Sequence, residues 1–476
     1  GTNPITTVNT DNTVTVADTA HGLAVGDTAV LAGATATGGL TINGTWTVAT
    51  IPTANTWTFE HTSPATSGAT GGGAAVTYLY EISPGLATAT ATGGFGDGLY
   101  SDDTYGTPRD DADEATPAAV WSFDTFGQYL NAMRDDNGTA YDWQLNTSNR
   151  AVAISGAPTG KALVTTAEGF LFILGAGGND RKVQWSDQAD NTEWTPSATT
   201  QAGSQTLETS GALMCGVRVG GGTMVLTTVD AWVARYTADI NVYAFKRVGT
   251  GCGAISRKSV VSIGDIAVWM GDGQFYIYNG YVAPLHCDVE DYVFSDLNRL
   301  QRSKVTCTVN SQYSEVTWFY PSANATENDR YVKFNYVDNV WDIGEIERTC
   351  ASDRGAFDYP LYVDSTGQIH EHEVGWSYDA AVPFAEAGPI SLGQGDNFMR
   401  ALQILPDEKT QGDATITFKT RFYPNGDETT YGPYTAANPT DVRFQGRSVK
   451  VRYDFTAAAD SRVGAPILDV IVGDKR

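Results

Sequence analysis

The side chains of this 476-residue sequence that could do chemistry are five cysteines, one pair of close histidines and an uneven stock of charges. Cys215, Cys252, Cys287, Cys307 and Cys350 are odd in number and widely spaced, and none stands in a Cys-x-x-Cys pair. That pattern suits neither a disulfide framework nor a zinc site, so buried free thiols are expected. His370-Glu371-His372-Glu373 puts two imidazoles at i and i+2, which would share one face of a strand and could meet a metal. The His-Glu-x-x-His pattern of zinc hydrolases fails, because Val374 stands where the second His is needed. An exposed polar strand is the expectation there. Gly249, Gly251 and Gly253 alternate, but no helix follows to present amides to a phosphate. Ten acidic residues lie between Asp97 and Asp136, against Arg109 and Arg134 alone. They lack the Asp-x-Asp-x-Asp-Gly spacing of a calcium loop. No catalytic, cofactor-binding or metal-ligating residue is therefore expected, and the sequence points away from an enzyme.

The formal net charge is −25, from 55 acidic and 30 basic residues. A field of that sign repels polyanions, so this chain is not built to grip nucleic acid by neutralising phosphates. No Lys or Arg precedes Arg109, whereas Arg443 to Arg476 holds seven basic residues against four acidic ones. Arg443, Arg447, Lys450 and Arg452 are the candidate cluster for contact with an acidic neighbouring subunit. No apolar run approaches the roughly 18 residues of a membrane span. The chain starts at Gly1 without a signal-peptide pattern, and a missing leading portion is expected.

The elements that must position these groups are strands. Fifty-one Gly and abundant Thr argue for many turns and little helix. In residues 1–80, apolar segments recur at 14–16, 28–31, 45–48, 56–59 and 75–79 between turn signals such as Asn43-Gly44, predicting a small β barrel or sandwich. Residues 81–117 read as an acidic, solvated linker. From Trp121 onward, turn pairs recur among alternating aromatics at Gly127, Glu168-Gly169, Asp230-Ala231, Asp272-Gly273, Asp338-Asn339 and Thr366-Gly367. Their spacing averages 48 residues but ranges from about 28 to 66, a loose form of the period of propeller blades. Residues 118–385 are thus expected to form a β-propeller of about six blades, preferred over a pair of sandwiches. One helix is predicted from an Asp288 cap, with Val289, Tyr292, Val293, Leu297 and Leu300 on one face. Residues 386–476 should form a last β domain, whose strand 448–455 alternates Val449, Val451 and Tyr453 with Lys450, Arg452 and Asp454.

Three resemblances can be placed on these residues. His21-Gly22-Leu23, Gly26-Asp27 and Ile42-Asn43-Gly44-Thr45 resemble a small β module of phage tail proteins, itself likened to a half-domain of ubiquitin-activating enzymes. The segment holds no cysteine, so no ubiquitin chemistry follows. Ser186-Asp187 with Trp194 resembles the Asp-box of sialidases, with the Gly absent and the Trp one place late. Such a box marks blade turns and not catalysis. The widest resemblance, over about residues 121–473, is to the tail nozzle (hub) proteins of short-tailed bacteriophages. It rests on Val183-Gln184-Trp185-Ser186-Asp187 with Glu193-Trp194-Thr195-Pro196, on Gly251-Cys252-Gly253-Ala254-Ile255-Ser256, on Tyr292–Asn298 with Glu315–Pro321, on Asn339–Gly344 and on Ile404–Asp407. It implies a virion tail protein, assembled in the host cytoplasm, that closes into a cyclic ring, a hexamer by expectation. Such a ring would extend the DNA-ejection channel below portal and adaptor proteins and carry fibres or a plug. Double-stranded DNA would pass through without tight binding, and contact with the host envelope would be indirect. The alternative is a propeller glycosidase or depolymerase, or a receptor-binding adhesin, on the same fold.

Overall fold

A computed structural model describes residues 2–90, 116–147, 149–376, 382–391, 396–407, 414–436, 439–456 and 462–475. The chain divides into two compact units, Gly1–His372 and Glu373–Arg476.

The first unit opens with two small sheets. One orders the strands Thr50–Thr53, Thr56–Glu60, Thr13–Ala17, Ile5–Thr7 and Ala69–Gly71; the other orders Gly44–Thr47, Thr28–Ala32 and Thr77–Glu81. Alternation puts Ile5, Val14, Val16, Leu31, Trp57 and Phe59 in a common core, all at 1% exposure or less. All five expected segments are strands. Three more, Ile5–Thr7, Thr50–Thr53 and Ala69–Gly71, were not expected, because each is short and carries too few apolar residues to signal itself.

Residues 82–90 run back along the next domain instead of standing free. Trp121 Nε1 donates to the Pro84 carbonyl at 3.0 Å, Arg134 donates to the Ser83 carbonyl, and buried Gln301 makes two 3.0 Å bonds with the Ala89 backbone. The remainder of the expected linker, residues 91–115, lies outside the described residues. Arg150 also ties the opening module to this domain, donating to the carbonyls of His21 and Gly22 with Asp27 3.9 Å away.

Residues 121–371 form a propeller of six successive antiparallel sheets, five of four strands and a last one of three. Strands follow one another within each sheet in chain order, and the first strands pack sheet to sheet along the series. Those first strands start at Trp121, Ala162, Leu213, Val260, Thr306 and Cys350, steps of 41, 51, 47, 46 and 44 residues. This period is far tighter than the turn pairs suggested. Each of the six turn pairs falls in its own sheet, but at non-equivalent turns: after the first strand at Gly127 and Gly169, after the second at Asp272-Gly273, after the third at Asp338-Asn339.

Aromatic and aliphatic side chains fill the space between sheets. Phe172, Trp185 and Tyr243 meet between the second and third, and Phe275, Trp318 and Trp341 between the fourth and fifth. Trp318 is fully buried and its Nε1 donates to the Ser259 carbonyl at 2.9 Å, so the polar end of its ring is satisfied inside the core.

The expected helix is shorter than its pattern. It spans Glu290–Asp296 and is followed by a 3-10 segment, Arg299–Lys304. Val289 is the N-cap residue and no side chain caps the helix, so Asp288 does not play the role expected of it. Val293 and Leu297 are buried, but Tyr292 and Leu300 are exposed at 46% and 42%, because the helix ends before its apolar face completes a second turn.

The second unit is a two-sheet sandwich. Phe384–Ser391, Ser448–Phe455, Ala414–Arg421 and Thr429–Thr435 form one sheet in that order; Thr440–Gly446, Asn397–Leu405 and Ile467–Lys475 form the other. Ile416, Phe418, Val442, Phe444 and Val449 lie between them. The expected alternation along 448–455 is present, with Val449, Val451 and Tyr453 buried.

Candidate functional site

The side chains picked out from the sequence are engaged in local structure. His370 Nε2 lies 2.9 Å from Asp364 Oδ2. That bond, followed by bonds from Thr366 and the 366–368 backbone, holds the Asp364 carboxyl below the usual carboxylate range. His372 stacks on Tyr362, with ring centroids 4.0 Å apart, and accepts a 2.8 Å hydrogen bond from Arg348 Nε. The two imidazoles therefore serve different partners, and the Nε2 lone pair of His372 is already used. The two do not form a shared metal-facing pair. Among the described residues no group of three His, Cys, Asp or Glu side chains stands close enough to hold a metal ion.

Three of the five thiols are buried, Cys215, Cys252 and Cys287. Burial pushes Cys215 and Cys287 up to about 12 and Cys252 up to about 11, which keeps them protonated and inert. The expectation of buried thiols fails for Cys350, which is exposed, and holds only in part for Cys307. Cys350 opens the first strand of the short sixth sheet.

The glycines at 249, 251 and 253 serve packing. A Cβ on Gly253 would stand 2.0 Å from the Thr228 carbonyl oxygen, and Gly251 has φ +65°. Ser186 and Asp187 close a loop: the Leu171 amide donates to Ser186 Oγ, the Gln201 amide donates to Asp187, and buried Trp194 donates to the Asn191 carbonyl at 2.7 Å.

The polar contacts that reach across the propeller were not picked out from the sequence. Arg257, just before the fourth sheet, places Nε 3.0 Å from Asp135 Oδ2 of the first, with both side chains mostly buried. Its Nη1 donates to the carbonyls of Leu213 and Met214 in the third sheet, at 3.2 and 2.9 Å. Neighbouring Lys258 sets its ammonium 5.2 Å from the ring centroid of Phe123 in the first sheet. Burial pulls that ammonium below the usual lysine range. Asp124 accepts from the Thr165 amide at 2.7 Å and pairs with Arg218 at 3.4 Å. One sequence signal could have found the first two: Arg257 and Lys258 are adjacent cations leading straight into an apolar strand.

The expected basic cluster is split in two. Lys450 lies 3.0 Å from Glu428 and 3.9 Å from Glu386; Arg452 lies 2.8 Å from Asp454 and stacks 3.9 Å over Phe384. These two cations thus have acidic partners within their own chain. Arg447 is set over the rings of Phe398 and Tyr423, and Arg443 is exposed on a strand of the other sheet.

No family model matches the chain, and no curated protein does. Among solved structures, an exported protein of Bacteroides fragilis is similar over 51% of this chain and 78% of its own, at 11% identity and a TM-score of 0.31. An exo-beta-1,3-galactanase from Phanerochaete chrysosporium is similar over 76% and 97%, at 9% identity and a TM-score of 0.28. The endosialidase of phage phi92 is similar over 80% and 58%, at 13% identity and a TM-score of 0.22. At such scores these likenesses carry no argument about function. On its own sheets, the chain is an all-β protein whose centre is a β-propeller.

Proposed function

We propose that this chain is a structural subunit of a phage tail, one copy of a closed ring that extends the DNA-ejection channel. The observation that carries the reading is the division of charge between the two units. The unit 1–372 holds 41 acidic and 19 basic residues, and the unit 373–476 holds 14 and 11. A conduit must repel the phosphates that pass it, while copies of one subunit must still touch one another. Net charges of −22 and −3 give those two tasks to different parts of the chain. Beyond a screening length of about 8 Å at physiological salt, the nearly neutral unit offers little resistance to a second copy. The nozzle-like strings add support, since they are structural in kind: most fall on blade strands and their connections, Tyr292–Asn298 on the helix and Ile404–Asp407 in the C-terminal sandwich. Portal, adaptor, fibre and plug proteins would be the partners.

The second reading is a propeller glycosidase or depolymerase, or an adhesin. Two of the three solved structures above are carbohydrate-acting enzymes by name, and none is named as a nozzle. One experiment separates the readings: incubate the full chain with capsular and lipopolysaccharide preparations and follow reducing-end release, alongside gel shifts with duplex DNA. The structural reading expects neither turnover nor submicromolar DNA binding. Enzyme-dependent release of oligosaccharide would overturn it.

A further inference from the structure

The C-terminal sandwich sets a sheet of four strands against one of three, and the outer face of the smaller sheet looks away from the core. Alternation decides what stands on it. Met399, Ala401, Val442 and Phe444 point inward, so Arg400, Asp441, Arg443 and Gln445 point outward and are exposed. On the edge strand Ile467–Lys475 the outward positions fall on Ile467, Asp469 and Ile471, and the two isoleucines are 66% and 53% exposed. Register sets Arg400 between Gln445 and Ile471, and Gln403 between Asp441 and Asp469. One open sheet face thus carries two exposed isoleucines beside two arginines.

The two sheets treat their cations differently. On the four-stranded sheet Lys419, Arg421, Lys450 and Arg452 each stand 2.7–3.0 Å from a carboxylate of their own unit. On the three-stranded sheet Arg400 and Arg443 have no carboxylate partner among the described residues. Of the two outward carboxylates on the same face, Asp441 accepts a 3.3 Å hydrogen bond from Gln403. Arg443 belongs to the basic cluster that the sequence offers to an acidic neighbour; Arg400 joins it only through sheet order.

We propose that this face docks on the acidic unit, residues 1–372, of a second copy of the chain. Ile467 and Ile471 form its apolar centre, and Arg400 and Arg443 select the partner. The inference rests on the ring reading above and names the surface that the ring would need. Charge decides the occupant. A second copy of the same face would bring four unpaired guanidinium groups together, whereas the unit 1–372, at −22, supplies carboxylates in excess. A contact between unlike faces is also the kind that closes into a ring and does not stop at a pair. Exposed ion pairs add little affinity each, so the arginines steer the encounter while burial of the isoleucines holds it.

The test is native mass spectrometry of the full chain at micromolar concentration, with a double variant, Arg400→Glu and Arg443→Glu, alongside. The parent should assemble, and the double variant should associate roughly tenfold or more weakly, because like charges then meet across the contact. Ile471→Asp should do the same through the apolar centre. Each variant is compared only after its melting transition matches the parent's. A second arm leaves the arginines in place: Gln445→Cys in a Cys350→Ser background carries a benzophenone maleimide and is photolysed. Cross-links between copies should land in residues 1–372. Single chains from the parent would overturn the ring reading and this inference together. A parent assembly that the double variant leaves intact, or cross-links confined to residues 373–476 of the second copy, would overturn this inference and leave the ring standing.

Discussion

Replacing Arg257 by Met should loosen the propeller more than any single exposed substitution could. The change strips the cation that is paired with Asp135 among the described residues and leaves that carboxylate mostly buried, 12% exposed, against the backbone of the first blade. Two unit charges about 4 Å apart at an effective dielectric constant near 20 attract by about 4 kcal/mol. Breaking a buried pair by removing one partner typically costs about 3–5 kcal/mol, in the same range. Arg257 also satisfies the Leu213 and Met214 carbonyls, so the loss falls on three blades at once. Asp135→Asn is the gentler probe: Asn keeps an oxygen to accept from the Val120 amide at 2.8 Å and removes only the charge, for about 1–3 kcal/mol. The double variant Arg257→Met with Asp135→Leu should recover most of the loss, since neither charge then remains buried. Urea unfolding followed by tryptophan fluorescence is the assay, read on the propeller transition because a chain with several cores need not unfold in one step. Should Arg257→Met shift stability by less than about 0.5 kcal/mol, the size of an ordinary surface change, or the double variant be as unstable as the single one, the cross-propeller tie has been misread.

Other expectations follow from the same packing. Trp318→Ala should destabilise the fourth and fifth blades by about 3–5 kcal/mol, measured as a lowered melting temperature, since a fully buried ring leaves a cavity and an unsatisfied Ser259 carbonyl. Burial raises Tyr78 and Tyr453 to about 12 from 10.0. The folded state therefore binds more protons than the unfolded state between pH 10 and about 12, and stability should fall across that window; absorbance titration at 295 nm should show tyrosines that ionise only as the chain unfolds. In native protein a disulfide reagent should modify Cys350 quickly and the buried thiols only on denaturation; fast labelling of a Cys350→Ser variant would contradict this. Deleting residues 1–80 should leave the propeller's melting transition nearly unchanged, as Arg150 supplies the polar contacts to the opening module described above; a large drop in that transition would contradict it.

The architecture was legible in the sequence because alternation and turn chemistry are local. Six turn pairs marked six blades, and Val449, Val451 and Tyr453 marked a half-buried strand. The blade period was legible only loosely, since Asp-Gly and Gly-Gln pairs serve different turns in different blades, and a turn signal does not say which turn it makes. Helix length was misjudged for a related reason: the face from Val289 to Leu300 fits helical spacing, but the chain bends at Leu297 to reach the next sheet. The polar contacts were least legible. Arg257 meets Asp135 across 122 positions, a pairing made by the ring of blades and by nothing in either neighbourhood. The acidic partners of Lys450 and Arg452 likewise come from strands brought alongside by sheet order, so a cluster that looked free in the sequence is largely paired in the fold.

Whether copies of this chain close into a ring is tested most directly by negative-stain imaging of the purified full chain at micromolar concentration, sorted into end-on class averages. A cyclic assembly with a central channel, with a native mass that is a fixed multiple of 50.8 kDa, is the result expected of a tail-tube subunit. A monodisperse population of single chains under the same conditions would contradict it.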